Sequence, residues 1–94
     1  MIEFEWDVSK ELMNVRKHGV TFMESSSCFL DPQGIQLLDK RRFYGEDRYY
    51  WIGKSDQDRI LTTWFTYRGS KVRIIGCAQW RKMRRYYYEA AKKK

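Results

Sequence analysis

The chain has 94 residues, a formal net charge of +7 and an aromatic share of 17%. That length suits one domain, residues 1–94, with a modest core, and the aromatic share argues against disorder. No apolar run approaches the roughly 20 residues of a membrane span, and the acidic start Met1-Ile2-Glu3-Phe4-Glu5 lacks the pattern of a signal peptide. A cytoplasmic protein with no membrane partner is expected.

The charge is unevenly placed. Residues 79–94 hold seven cations and one anion, whereas residues 1–78 hold twelve cations and eleven anions. A nearly neutral body therefore carries a strongly basic C-terminal element, the electrostatic footprint of a polyanion or an acidic protein partner. Cys28 and Cys77 match no metal-ligand spacing and lie in apolar contexts, so they read as reduced core residues. With one histidine and no paired His or Cys ligands, no metal and no other cofactor is expected.

In chain order, Ile2, Phe4 and Trp6 alternate with Glu3 and Glu5, which predicts a short strand. Asp7 or Ser9 caps a helix over 8–18, with Val8, Leu12 and Val15 as its apolar stripe, Met13 beside it, and Lys10, Glu11, Asn14 and Lys17 outward. Arg16, Lys17 and His18 suit its last turn and Gly19 its C-terminal cap. Thr21 and Glu24 have capping-box spacing, with Val20 as a hydrophobic staple. The short helix they open runs to about Leu30 with Phe22, Met23, Cys28 and Phe29 as apolar contacts, and Asp31-Pro32-Gln33-Gly34 turns the chain. A short strand over 35–38 leads into a basic connection with an aromatic tip, Lys40-Arg41-Arg42-Phe43-Tyr44-Gly45. Strands over 48–54, 59–67 and 72–77 at hairpin spacing form an antiparallel meander. The last helix starts near Gln79, with Trp80, Met83, Tyr87 and Ala90 as its buried stripe, and Arg81, Arg84, Arg85 and Tyr88 on a second, cationic face. The expected fold class is α+β: N-terminal helices packed on a mostly antiparallel sheet, closed by a C-terminal helix.

The chemistry this residue set suits is done by cations and one imidazole on a phosphodiester. RNA cleaves itself when its 2′-hydroxyl attacks the neighbouring phosphate. A protein has only to position that attack, move two protons and neutralise the developing charge. His18 is the one side chain whose ordinary pKa lies near neutrality, and Glu46 or a tyrosine is an alternative proton carrier. Glu46 and Arg48 share one face of a strand, and Arg73 shares the face of Ile75. Against these roles stand structural ones: His18 as a helix-end cation, Glu46 and Arg48 as a cross-strand ion network, Arg73 as a stacked arginine, and the cationic helix face as a solvated surface.

Together these residues resemble a known family. Phe4-Glu5-Trp6-Asp7, Asn14, Lys17-His18-Gly19-Val20-Thr21-Phe22, Gly45-Glu46-Asp47-Arg48 with Ile52-Gly53, Arg73-Ile74-Ile75, then Arg85 and Tyr88 follow the order seen in the BrnT family of toxins from bacterial type II toxin–antitoxin systems. The likeness covers roughly residues 4–88, nearly the whole chain. It implies a RelE-like α+β fold and a metal-independent ribonuclease that blocks translation. It also implies a BrnA-like antitoxin with a ribbon-helix-helix DNA-binding part, the complex of the two repressing its own operon. In that reading His18, Glu46, Arg48 and Arg73 are catalytic, and Arg81, Arg84, Arg85 and Tyr88 hold RNA or the antitoxin. The chain departs from the family pattern after Arg73-Ile74-Ile75 and in the helix that follows. Gly76-Cys77-Ala78 stand where Ser-Ala-Arg is usual, and Arg84 stands where a glutamate is usual; Trp80 and Arg81 also replace smaller residues. The alternative reading is a non-catalytic module that binds RNA, the ribosome or an acidic antitoxin segment through the same basic surface.

Overall fold

Asp7 opens the first helix. Its carboxylate accepts from the backbone N–H of Ser9 at 2.8 Å and of Lys10 at 3.2 Å, which satisfies donors a helix start leaves unpaired. The helix, α1 (Val8–His18), stops at Gly19, whose φ of 70° is the left-handed geometry that glycine adopts without strain. In this computed structural model, which describes residues 1–43 and 45–93, the chain continues as α2 (Phe22–Ser27) and a single 3-10 turn (Cys28–Leu30). Four strands follow, β2 (Ile35–Phe43), β3 (Glu46–Lys54), β4 (Ile60–Arg68) and β5 (Lys71–Ala78), and then α3 (Arg81–Lys92). With β1 (Glu3–Glu5) they form one sheet in the order β1-β5-β4-β3-β2. The β2–β5 meander is antiparallel as its hairpin spacing predicts, and β1 joins β5 in parallel.

The two faces of the sheet hold different things. On one face Phe22, Cys28, Leu61, Phe65, Val72, Ile74 and Cys77 are buried with Val20, and Phe4, Trp6, Phe29, Tyr49 and Trp51 pack around them. Burial pushes both thiols up, Cys28 to about 12 and Cys77 to about 11, and both are free. On the other face α3 lays Met83 and Tyr87 over Ile52, Ile60 and Leu37. The Tyr87 hydroxyl donates to Asp31 Oδ2 at 2.6 Å, tying α3 to the turn before β2. Among the described residues, no helix covers the rest of that second face, and it holds the charged residues described below.

Several expectations need correction. The stripe of α1 is not inward: Val8, Leu12 and Met13 are 63–68% exposed, and Val15 is also exposed. The buried residue of α1 is Asn14. The reason is that α1 docks on a strand edge rather than on an apolar layer. β1 pairs with β5 only at Lys71, Val72 and Arg73, so the backbone of β5 beyond them needs another partner. Asn14 supplies it, accepting from Cys77 N–H at 3.0 Å and donating to Cys77 O at 2.9 Å.

The capping box is half made. Thr21 Oγ1 accepts from Glu24 N–H at 3.0 Å, but the Glu24 carboxylate turns into the core to take Arg59 and the Ser55 hydroxyl. Met23, expected among the apolar contacts, is exposed. β2 extends to Phe43, so most of the expected basic connection is strand, and its aromatic tip Tyr44 lies outside the described residues. α3 starts at Arg81 with Trp80 as its cap residue, 37% exposed, so Trp80 is not part of the buried stripe.

Candidate functional site

Alternation along the strands puts a row of polar residues across the uncovered face. In β1, Glu5 lies beside Arg73; in β4, Thr66 lies opposite Arg73. Tyr49 pairs with Phe65, so the next step of that register brings Arg48 beside Thr66, and Arg48 in turn pairs with Asp39 of β2. Arg73 and Arg48 thus stand two strands apart, roughly 9–10 Å between backbones, with the short side chain of Thr66 between them. Both are partly buried. Thr66 spends its hydroxyl on Asp47 O at 2.7 Å.

Each arginine is oriented by a carboxylate. Arg73 Nη1 donates to Glu5 Oε2 at 2.8 Å. Arg48 Nε donates to Glu46 Oε2 at 3.1 Å, and Glu46 Oε1 also faces Arg68 at 3.6 Å. Asp39, at the end of the row, accepts from Arg41 at 2.7 Å, and that guanidinium holds the Asp39 carboxyl down to about 2. Arg41 also donates to the Tyr50 hydroxyl at 3.1 Å.

His18 enters from the side. It closes α1, and its ring stands at 89° to Trp64 with centroids 6.0 Å apart. Trp64 lies over Gly76, where an added Cβ would meet the indole at 2.2 Å, and it stacks on Trp80 at 5.0 Å with rings 9° from parallel. Between α1 and this indole runs a groove of about 420 Å³, lined by Met13, Lys17, His18, Trp64 and Ile75 among others. Arg48, Glu46 and Arg73 thus share one open face with the His18 groove at its margin. Among the described residues, no hydrogen bond or ion pair links His18 to Glu46 or Arg73.

The second group lies on α3. Arg81, Arg84, Arg85 and Tyr88 are all exposed, on the side of the helix away from Met83 and Tyr87. Arg81 and Arg84 flank a recess of about 200 Å³ with Gln79 and Trp80. The first turn of α3 has no acidic residue and no side-chain cap. Cations at the positive end of a helix dipole are unfavourable until an anion arrives. Ala78 is 2% exposed and pairs with Thr62.

The sequence reading missed Glu5, Asp39 and Trp64. Glu5 needed the parallel β1–β5 pairing, which no turn signal announces. Trp64 had a signal in Gly76: a glycine within a strand marks a close approach by another group.

A small basic α+β protein thus carries two carboxylate-braced arginines on one sheet face and a separate cationic helix. The family model described as "Ribonuclease toxin, BrnT, of type II toxin-antitoxin system" matches residues 6–85, and the chain belongs to that family. Among solved structures it resembles the ribonuclease toxin BrnT of Brucella abortus, known at 1.1 Å. The TM-score is 0.62 and the identity 19%, over 85% of this chain and 97% of that one. No curated protein matches the chain by sequence. Family membership makes RNA its target class and an antitoxin its partner. Among the described residues no helix is long and apolar enough to cross a membrane.

Proposed function

We propose that the Arg73–Thr66–Arg48 row binds a phosphodiester of RNA and that the protein cleaves it without a metal. The 2′-oxygen attacks the adjacent phosphorus while the bond from phosphorus to the 5′-oxygen breaks. The products are a 2′,3′-cyclic phosphate and a free 5′-hydroxyl. One proton leaves the 2′-hydroxyl and one reaches the 5′-oxygen. Arg48 and Arg73 offset the charge that builds on the phosphoryl oxygens. His18 fits the proton-transfer role better than Glu46, because Glu46 already accepts from Arg48 and faces Arg68. Glu46 then orients Arg48, as Glu5 orients Arg73. Arg81, Arg84, Arg85 and Tyr88 hold the flanking strand.

The observation that carries this reading is the shared face of Arg73 and Arg48, each braced by its own carboxylate around a small threonine. The test is purified protein on total RNA in excess EDTA. Cleavage leaving cyclic phosphate ends, lost in His18→Ala and Arg73→Ala, is expected. Cleavage that requires added Mg²⁺ would overturn the mechanism.

In the cell, cytoplasmic cleavage of this kind would arrest translation. The partner we infer is a BrnA-like ribbon-helix-helix antitoxin, which would carry the complex to operator DNA. A separate observation favours a second, compatible reading, that a non-catalytic docking role belongs to α1. Val8, Leu12 and Val15 form an exposed apolar strip, which suits a protein partner better than RNA. Co-expression with the antitoxin gene and a pull-down with Leu12→Glu separates the two: loss of the complex with RNA cleavage intact assigns the strip to the antitoxin.

A further inference from the structure

The groove between α1 and the sheet is unlike the rest of the charged face. Its floor is Trp64 and Ile75 and one wall is Met13, with lysines 10 and 17, Arg16 and His18 along the α1 side. Asn14, which also lines it, has its amide committed to Cys77 and Val20. Among the described residues, no acidic one lines it. The slot is therefore apolar inside and cationic at the rim. Its volume of about 420 Å³ lies within the range of sites that hold small planar molecules.

Its position adds a second constraint. Ile75 follows Arg73 by two residues on the same face, about 6–7 Å along the strand. Ile75 stands beside a bulge, since Gly76 is opposite Trp64 while Ile74 is opposite Phe65. A nucleotide whose phosphate rests on Arg73 has its base within reach of this slot. The base would lie against Trp64, Ile75 and Met13, while neighbouring phosphates meet the α1 cations.

We infer that this groove is a nucleobase subsite, taking one unpaired base next to the phosphate held by Arg73. The inference rests on the RNA reading above, but it assigns the slot and not the cleavage. Because its floor and one wall are Trp64, Ile75 and Met13, the subsite takes a base by stacking and apolar contact and reads it by its bulk. Adenine, guanine and 2-aminopurine behave alike there, and a missing base is penalised.

The experiment uses a short single-stranded oligoribonucleotide with its 2′-hydroxyls methylated, so that binding is read without cleavage. One position at a time carries 2-aminopurine or an abasic residue. Expected is 2-aminopurine fluorescence that changes on binding at one position only. Removal of the base at that position weakens binding by about 5- to 100-fold, the range of a lost stacked base. Met13→Trp, a substitution at an exposed helix position that fills the slot, abolishes both effects while the fully abasic strand still binds. Equal affinity for parent and Met13→Trp, with no position-specific fluorescence change, overturns the subsite and leaves the groove to an apolar side chain of the protein partner. A parallel assay on unmethylated RNA keeps the two ideas apart: a position-specific signal without cleavage sinks the nuclease and keeps the subsite, and cleavage indifferent to Met13→Trp and to base removal does the reverse.

Discussion

Asn14 does for Cys77 what a neighbouring strand would do. Its Oδ1 accepts the Cys77 N–H at 3.0 Å, and its Nδ2 donates to Cys77 O and to Val20 O, both at 2.9 Å. One side chain thus fixes α1 to the edge of β5 and holds the loop after α1, which sets where His18 points. Asn14→Ala strands a buried donor and buried acceptors, each costing about 1–3 kcal/mol. Loss of at least ~2 kcal/mol in urea denaturation is the expected outcome, and Asn14→Leu should fare no better although it is more apolar. A loss below ~0.5 kcal/mol would mean that the edge of β5 is satisfied some other way.

The same contact explains what was and was not legible in the sequence. The meander could be read because each of its turns has a local signal, and the α1 cap could be read in Asp7 and Gly19. The orientation of α1 could not. Periodicity reports which residues share a helix face, and Val8, Leu12 and Val15 do share one; it does not say that the face is buried. A polar residue faces inward here because the helix meets backbone groups that need hydrogen bonds, and that need arises from β1 being only three residues long, Glu3–Glu5. For the site, strand alternation placed Glu46 with Arg48 and Arg73 with Ile75 correctly. The carboxylate that braces Arg73 comes from the other end of the chain, so no local spacing announces it.

Gly76 and Trp64 form a second coupled pair. A Cβ at Gly76 would lie 2.2 Å from the indole, so Gly76→Ala must displace Trp64, and with it the stack on Trp80. Overpacking of this kind costs about 1–3 kcal/mol. The thermal midpoint is expected to fall and the near-ultraviolet circular dichroism of the tryptophans to change together. An unaltered tryptophan spectrum would show that the indole yields without leaving Trp80.

Glu24 makes stability depend on pH. It is 4% exposed, and its carboxyl is held below its ordinary pKa of 4.5, chiefly by hydrogen bonds from Arg59. The folded value lies below the unfolded one, so this contribution is complete above the ordinary value and is lost as pH falls through the folded one. Denaturation of the parent and of Glu24→Gln at pH 7 and pH 3 is the measurement. The gap between them should be wide at pH 7, where the variant leaves Arg59 without its anion, and should narrow at pH 3. A gap that stays constant would show that Glu24 acts by packing alone.

Arg73 and its brace separate charge from geometry. If both guanidinium groups of the row hold the phosphate, Arg73→Ala should lower kcat by about 10²–10³-fold, as loss of one preorganised donor does. Arg73→Lys should recover only part of that, because an ammonium keeps the charge and loses the planar fork. Glu5→Gln should produce a smaller loss, since it loosens Arg73 without removing it. Single-turnover cleavage of one short RNA by the three variants gives the order. Equal activity of Arg73→Lys and the parent would reduce the residue to a point charge.

The cationic face of α3 should behave in the opposite way. Arg81, Arg84 and Arg85 are exposed and lie beside the row rather than in it. If they hold the flanking strand, their contribution is long-range attraction to phosphates, which salt screens. Replacing all three by Ala should raise KM and leave kcat within about twofold, because the interaction is the same in ground and transition states. The slope of log affinity against log salt should become shallower by about 0.7 for each phosphate contact removed, or roughly 2 in all. A fall in kcat with KM unchanged would move these arginines from strand binding into the chemical step.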